Sequence, residues 1–195
     1  MIKLGITGGI GSGKSTVATL FHIYGIPVYN ADEETKKLNN RSPIIRKQLK
    51  KHFGEELYIN NVLNKKKFAE IIFNDAGKLS LANSIIHPEV LKDFTNWCKQ
   101  HADQPIVALE AAILFESNFH IYLDKVVTVY SPLKLRLKRV SKRDNVTPDM
   151  VKSRIKHQMP EEEKMDLSDF IIINDNKHSL IEQAEKLIKE LKTVH

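Results

Sequence analysis

The stretch GITGGIGSGKST (Gly5–Thr16) constrains this chain more than any other, because five of its twelve residues are glycine. A glycine inside a helix or strand costs roughly 0.5–1 kcal/mol relative to alanine, so such a run belongs in a loop. The apolar run IKLGIT (Ile2–Thr7) leads into it, and STVATLFHIYG (Ser15–Gly25) leaves it with helical spacing. Gly8 to Ser15 satisfies G-x-x-x-x-G-K-[ST] in full, in the strand–loop–helix context that the pattern requires. Glycines let successive backbone N–H groups turn inward around an anion, and the start of the following helix adds positive potential. The loop is therefore read as a cradle for a nucleoside triphosphate. Lys14 reaches the β- and γ-phosphates, the Ser15 hydroxyl coordinates Mg2+, and Thr16 sits near the α-phosphate. On this reading the glycines leave room for the phosphates.

Four further apolar runs read as buried strands: IPVYN (Ile26–Asn30), PIVALE (Pro105–Glu110), KVVTVY (Lys125–Tyr130) and FIIIN (Phe170–Asn174). Ser42-Pro43, Ser131-Pro132 and Thr147-Pro148 each place a capping hydroxyl before a proline suited to the first helical turn. Strands alternating with helices predict an α/β chain: a three-layer P-loop fold with a five-stranded parallel sheet covered on both faces. About seventy-five residues separate the second strand from the third, far more than one crossover helix needs. The expected plan is a nucleotide core (1–33, 105–132 and 168–195), a helical insertion that sets specificity (34–104) and a helical lid (133–167).

The remaining strand ends supply candidate chemistry, because ligands of open parallel sheets gather beyond the carboxyl ends of the strands. Asp32 follows the second strand in VYNADEE, where it either takes the proton of an incoming hydroxyl and orients it, or caps the next helix. Glu110 ends the third strand in the Walker-B position, able to hold Mg2+ directly or through water. In SPLKLRLKRVSKRDNVTP, Arg136, Arg139 and Arg143 fall on one helical stripe. Three guanidiniums on one stripe repel unless an anion such as a polyphosphate lies among them. Arg139 and Arg143 are accordingly the candidates for charge stabilisation of phosphoryl transfer.

Composition narrows the partners. The net charge of +6 and a pI near 9.2 favour an acidic one. Aromatic residues make up 7% of the chain and no nucleic-acid module appears, which argues against a nucleic-acid binder. No Asn-Lys-x-Asp guanine-reading sequence supports a GTP switch. Cys98 is the single cysteine, so neither an intrachain disulfide nor a CxxC metal site is available. No apolar stretch approaches eighteen residues and Met1–Ile6 is too short for a signal segment, so a cytoplasmic protein without membrane association is expected.

Taken in order, GITGGIGSGKST, ADEETKKL, IIHPEV, EAAILFES, LKRVSKRDNVT, RIKHQM and DFIIIN resemble the dephospho-coenzyme A kinase family from the first strand to about Asn174. The resemblance implies transfer of the ATP γ-phosphate to the 3′-hydroxyl of dephospho-coenzyme A, with a kinase of another nucleotide or small alcohol as the alternative. It implies ATP and dephospho-coenzyme A as partners, Mg2+ as cofactor, and a monomer, with a weak oligomer left open. It makes Asp32 the base, Gly11, Ser12, Gly13, Lys14, Ser15 and Thr16 the ATP segment, Arg139 and Arg143 the lid arginines, and Asn174 a neighbour of adenine. His87 and Glu116 match positions in and beside the acceptor region. His87 otherwise pins a helix start at Pro88, and Glu116 otherwise caps or pairs. Gln158 matches the family's RIxxQ pattern without a derivable role. The chain departs from the common pattern in three places: Asn30 replaces the first Asp of Asp-Ala-Asp, Ala112-Ile113-Leu114 replaces Pro-Leu-Leu, and Glu110 replaces Asp.

Overall fold

All five apolar runs form strands in the computed structural model, which describes residues 1–73 and 75–193. The chain begins β1 (Ile2–Thr7), α1 (Lys14–Ile23), β2 (Val28–Asn30), α2 (Ala31–Arg41) and α3 (Pro43–Phe53). Two short strands follow, β3 (Tyr58–Ile59) and β4 (Val62–Leu63), then α4 (Lys65–Phe73) and the long α5 (Ala76–Gln100). The rest runs β5 (Ile106–Glu110), β6 (Lys125–Tyr130), α6 (Leu133–Asp144), α7 (Pro148–Ile155), α8 (Glu161–Asp166), β7 (Phe170–Ile173) and α9 (Leu180–Thr193). These elements divide into two units, Met1–Asn30 with His101–His195, and Ala31–Gln100.

In the first unit the sheet order is β2-β5-β1-β6-β7, with every pairing parallel. Leu4 and Ile6 of β1 meet Val17 and Phe21 of α1, and Leu187, Ile188 and Leu191 of α9 join the same buried cluster. The opposite face is equally closed: Leu114 and Leu123 lie where a side chain on Gly5 would be. With both faces covered, β5 is buried at every position, which is why it reads as an unbroken apolar run. The register brings Ile6 and Asn30 each opposite Glu110, so β1, β2 and β5 end together.

The second unit is helical, as the insertion pattern predicts. Ala82, Ile86, Val90, Phe94 and Cys98 make a buried stripe at four-residue spacing along α5. The β3–β4 hairpin is not foreseen from the sequence. It turns through Asn60 and Asn61, both at positive φ, which suits the tight primed turns joining twisted strands.

Two of the three expected helix starts form as read. Ser42 Oγ accepts from Ile45 N–H and Thr147 Oγ1 from Met150 N–H, each with proline opening the helix. At Ser131-Pro132 the reading fails: α6 starts at Leu133, and the buried Ser131 hydroxyl accepts from Arg139 instead. Pro88 does not start a helix either, since it lies inside α5, where it has no N–H to give. Among the described residues no helix is long and apolar enough to cross a membrane.

Candidate active site

The loop between β1 and α1 closes on itself through Ser12 N–H to the Gly9 carbonyl (3.1 Å) and Thr16 N–H to the Gly13 carbonyl (3.0 Å). Gly13, at φ 100°, caps α1 in the left-handed region that favours glycine. What fills the missing side chains adds to the sequence reading. A Cβ on Gly9 would run into the Arg136 guanidinium and Glu161, and one on Gly13 would run into the Asn174 amide. At Gly11 it would meet Val140 and the Arg136 carbonyl. At these three positions the glycines admit the protein's own groups.

Arg136, Gln158 and Glu161 hold the start of the loop. Arg136 Nη1 pairs with Glu161 Oε2 at 2.7 Å, with the two side chains 6% and 5% exposed. Arg136 Nε donates to the Ile10 carbonyl at 3.0 Å, and Glu161 Oε1 accepts Gly9 N–H at 3.1 Å. Gln158 Oε1 accepts Ile10 N–H at 2.9 Å, which gives RIxxQ a structural role. Burial pushes the Glu161 carboxyl above its usual range, against the pull of Arg136 and of the Gly9 N–H.

The arginine stripe is present, but it does not gather around one anion. Arg136 faces Glu161. Arg143 is bound by Asp144 at 2.7 Å, and Asp144 also takes Arg154 at 2.7 Å. The Asp144 hydrogen bond raises the pKa of Arg143, and the same bond holds the Asp144 carboxyl low. Arg139 differs from both. Its guanidinium donates to Gly11 O (3.5 Å), Ser131 Oγ (3.0 Å), Asn174 O (3.3 Å), Asn174 Oδ1 (3.2 Å) and Asn176 Oδ1 (2.7 Å). Every acceptor is neutral, so among the described residues its charge meets no carboxylate.

Asn174 completes the junction, donating from Nδ2 to the Ser12 carbonyl at 2.7 Å. Beyond it, Asp175 Oδ1 accepts Lys177 N–H (2.9 Å) and His178 N–H (3.1 Å), and these bonds pull its carboxyl down to about 2. The structure thus brings together Gly11, Ser12, Gly13, Arg139 and Asn174. Lys14, Ser15 and Thr16 form the first turn of α1, with Lys14 half-buried and the other two exposed. The hydroxyls of Thr7 and Ser12, on either side of the loop's rise, are buried without a hydrogen-bond partner among the described residues.

Glu110 is buried at the end of β5, and Asn30 Nδ2 donates to its Oε2 at 3.1 Å. The amide at position 30 thus gives the buried acid a donor where a second carboxylate would repel it. Among the described residues no cluster of three acidic, histidine or cysteine side chains forms a metal cage. Ser15 and Glu110 are hard oxygen donors of the kind Mg2+ accepts when most of its shell is phosphate and water, so the residues fit that ion.

Glu116 Oε1 is taken by Lys164 Nζ (2.9 Å) and Met159 N–H (2.9 Å). Lys164, fully buried, also donates to the Ala112 carbonyl at 2.7 Å. Sequence reasoning passed over Glu161 and Lys164, whose only signal is an acidic run, PEEEK, closely following RIKHQ. Asp32 and His87 belong to the 31–100 unit. Asp32 is the second residue of α2, exposed within its first turn rather than at its cap. His87 is half-buried inside α5, and burial holds its pKa below the usual imidazole value.

Comparison with known proteins identifies the family. A family model for dephospho-CoA kinase covers residues 2–179. A dephospho-CoA kinase of Bacteroides fragilis is 44% identical over 187 residues, spanning 96% of this chain and 91% of that protein. A crystal structure from Thermus thermophilus superposes with a TM-score of 0.87 at 32% identity, covering 97% of this chain and 96% of its own. A dephospho-CoA kinase from Campylobacter jejuni gives 0.71 at 25% identity, covering 98% and 97%. A phosphate loop of this form, on a sheet of this order, in a chain matched almost end to end, leaves one conclusion: the chain belongs to the dephospho-CoA kinase family.

Proposed function

We propose that this chain transfers the γ-phosphate of ATP to the 3′-hydroxyl of the ribose of dephospho-coenzyme A, giving coenzyme A and ADP. The observation that carries the reading is the complete Gly8–Ser15 loop, with the uncompensated Arg139 guanidinium on its Gly11 carbonyl, in a chain of this family. The Gly11–Thr16 segment binds the phosphates through the backbone N–H groups it does not spend on closing the loop, and Lys14 meets the β- and γ-oxygens. Asn174 borders the adenine, held by its bond to Ser12. Ser15 and Glu110 would hold Mg2+, which when bound would offset charge on the phosphates.

Residues 34–104 receive the acceptor, with His87 in contact with it. Asp32 takes the proton of the attacking hydroxyl and orients its lone pair in line with the γ-phosphorus. Glu116 borders the acceptor with Oε2, the oxygen that Lys164 and Met159 leave. Residues 133–167 close as a lid and expel water that would compete as acceptor. In that closure Arg143 exchanges Asp144 for the transferring phosphoryl group, while Arg139 balances charge from the loop side. The chain works as a monomer in the cytoplasm, a reducing compartment that suits the free, buried Cys98.

The test is ADP release with ATP, Mg2+ and dephospho-coenzyme A, beside AMP, adenosine and shikimate, with Lys14→Ala as the blank. Turnover confined to dephospho-coenzyme A, with coenzyme A as product, is expected. Turnover with another acceptor alone refutes the assignment of substrate.

A further inference from the structure

The short segment from Gln158 to Lys164 grips both of the connections that leave the neighbouring strands β1 and β5. Gln158 and Glu161 hold the N–H groups of Ile10 and Gly9, at 2.9 and 3.1 Å. Lys164 holds the Ala112 carbonyl at 2.7 Å, two residues beyond Glu110, and Glu116 ties the same connection to Met159 N–H. Arg136 anchors the set through Glu161 and the Ile10 carbonyl. None of these groups belongs to the Gly11–Thr16 stretch, and Gly9 and Ile10 spend their N–H groups on the segment rather than on a ligand.

We infer that Gln158, with Glu161 and Arg136 behind it, is a positioning residue for nucleotide binding. It sets the pitch at which the loop rises from β1, so that the donors downstream converge on the phosphates only while the 158–164 segment is docked. The inference rests on reading the loop as the ATP site. Ile10 and Gln158 are both half-buried, so water can replace the lost acceptor at little cost to folding, whereas the loop's alignment has no substitute. The role therefore separates from a purely structural one.

The test compares wild type, Gln158→Met and Lys14→Ala, measuring ATP affinity by calorimetry, KM for each substrate, and Tm without nucleotide. Methionine keeps the side-chain length and removes the acceptor. Gln158→Met is expected to weaken ATP binding about five- to tenfold, with acceptor KM and Tm near wild type. Unchanged ATP affinity in Gln158→Met, beside its loss in Lys14→Ala, overturns the inference and leaves the ATP site standing. Both KM values rising together with a lowered Tm also overturns it, in favour of a structural role. Wild-type ATP affinity in Lys14→Ala removes the ATP site itself, and the inference with it.

Discussion

Replacing Glu161 with leucine strands a guanidinium that has almost no contact with water. Arg136 is 5% exposed as a residue, and its other bond is to the neutral Ile10 carbonyl at 3.0 Å. Removing one partner of such a buried pair costs about 3–5 kcal/mol, and the orphaned Gly9 N–H contributes within that range. For a chain of this size each kcal/mol is worth about 2–4 °C, so Tm should fall by about 6–20 °C. Removing both charges is a different perturbation. Burial already pushes the Glu161 carboxyl upward, a sign that the pair's desolvation offsets much of its attraction. The double variant Arg136→Met/Glu161→Leu should therefore regain at least half of the loss, leaving mainly one N–H and one carbonyl unpaired. Urea unfolding of wild type, both single variants and the double variant measures this directly. A loss under about 1 kcal/mol in Glu161→Leu, or a double variant no more stable than the worse single one, would refute the reasoning.

Asp32→Asn should lower kcat by about 10²–10⁴ and leave ATP affinity near wild type, because the amide cannot take the acceptor's proton; an unchanged kcat removes Asp32 from the chemistry. Arg143→Ala should slow transfer by about 10³ or more at constant Tm, since its partner is a surface carboxylate whose loss costs little; kcat within threefold of wild type rules out its delivery to the phosphoryl group. The Asp175 carboxyl should titrate near 2 by carbon NMR. Its pKa is depressed in the folded chain, so the stability it contributes is present above the ordinary value of 3.8 and is lost as pH falls toward 2. A midpoint at 3.8 or higher means that its bonds to Lys177 and His178 do not persist in solution.

What was legible in the sequence was local. Apolar runs gave the five strands because both faces of the sheet are covered, and Ser42 and Thr147 marked helix starts through bonds spanning three residues. The Gly8–Ser15 pattern gave the loop for the same reason. The partners of that loop lie far along the chain, Ile10 with Gln158 at a separation of 148 and Gly9 with Glu161 at 152, and nothing in either segment announces the other. Without Glu161 and Asp144, the arginine stripe demanded an external anion to relieve repulsion. With them, only Arg139 still lacks a counter-charge. The Asn60-Asn61 turn was readable in principle, but its strands are two residues each, too short for alternation to register. Pro88 misled because tertiary packing of the α5 stripe outweighs one missing helical bond.

Gly9 and Gly11 are shaped by Arg136, Val140 and Glu161 as closely as a lock is by its key. The shape of the loop therefore depends on the segment that faces it: residues 133–167 taken from another kinase would bring side chains cut for a different loop. A productive chimera must carry Gly8–Ser15 along with residues 133–167, because the two stretches fill each other's space.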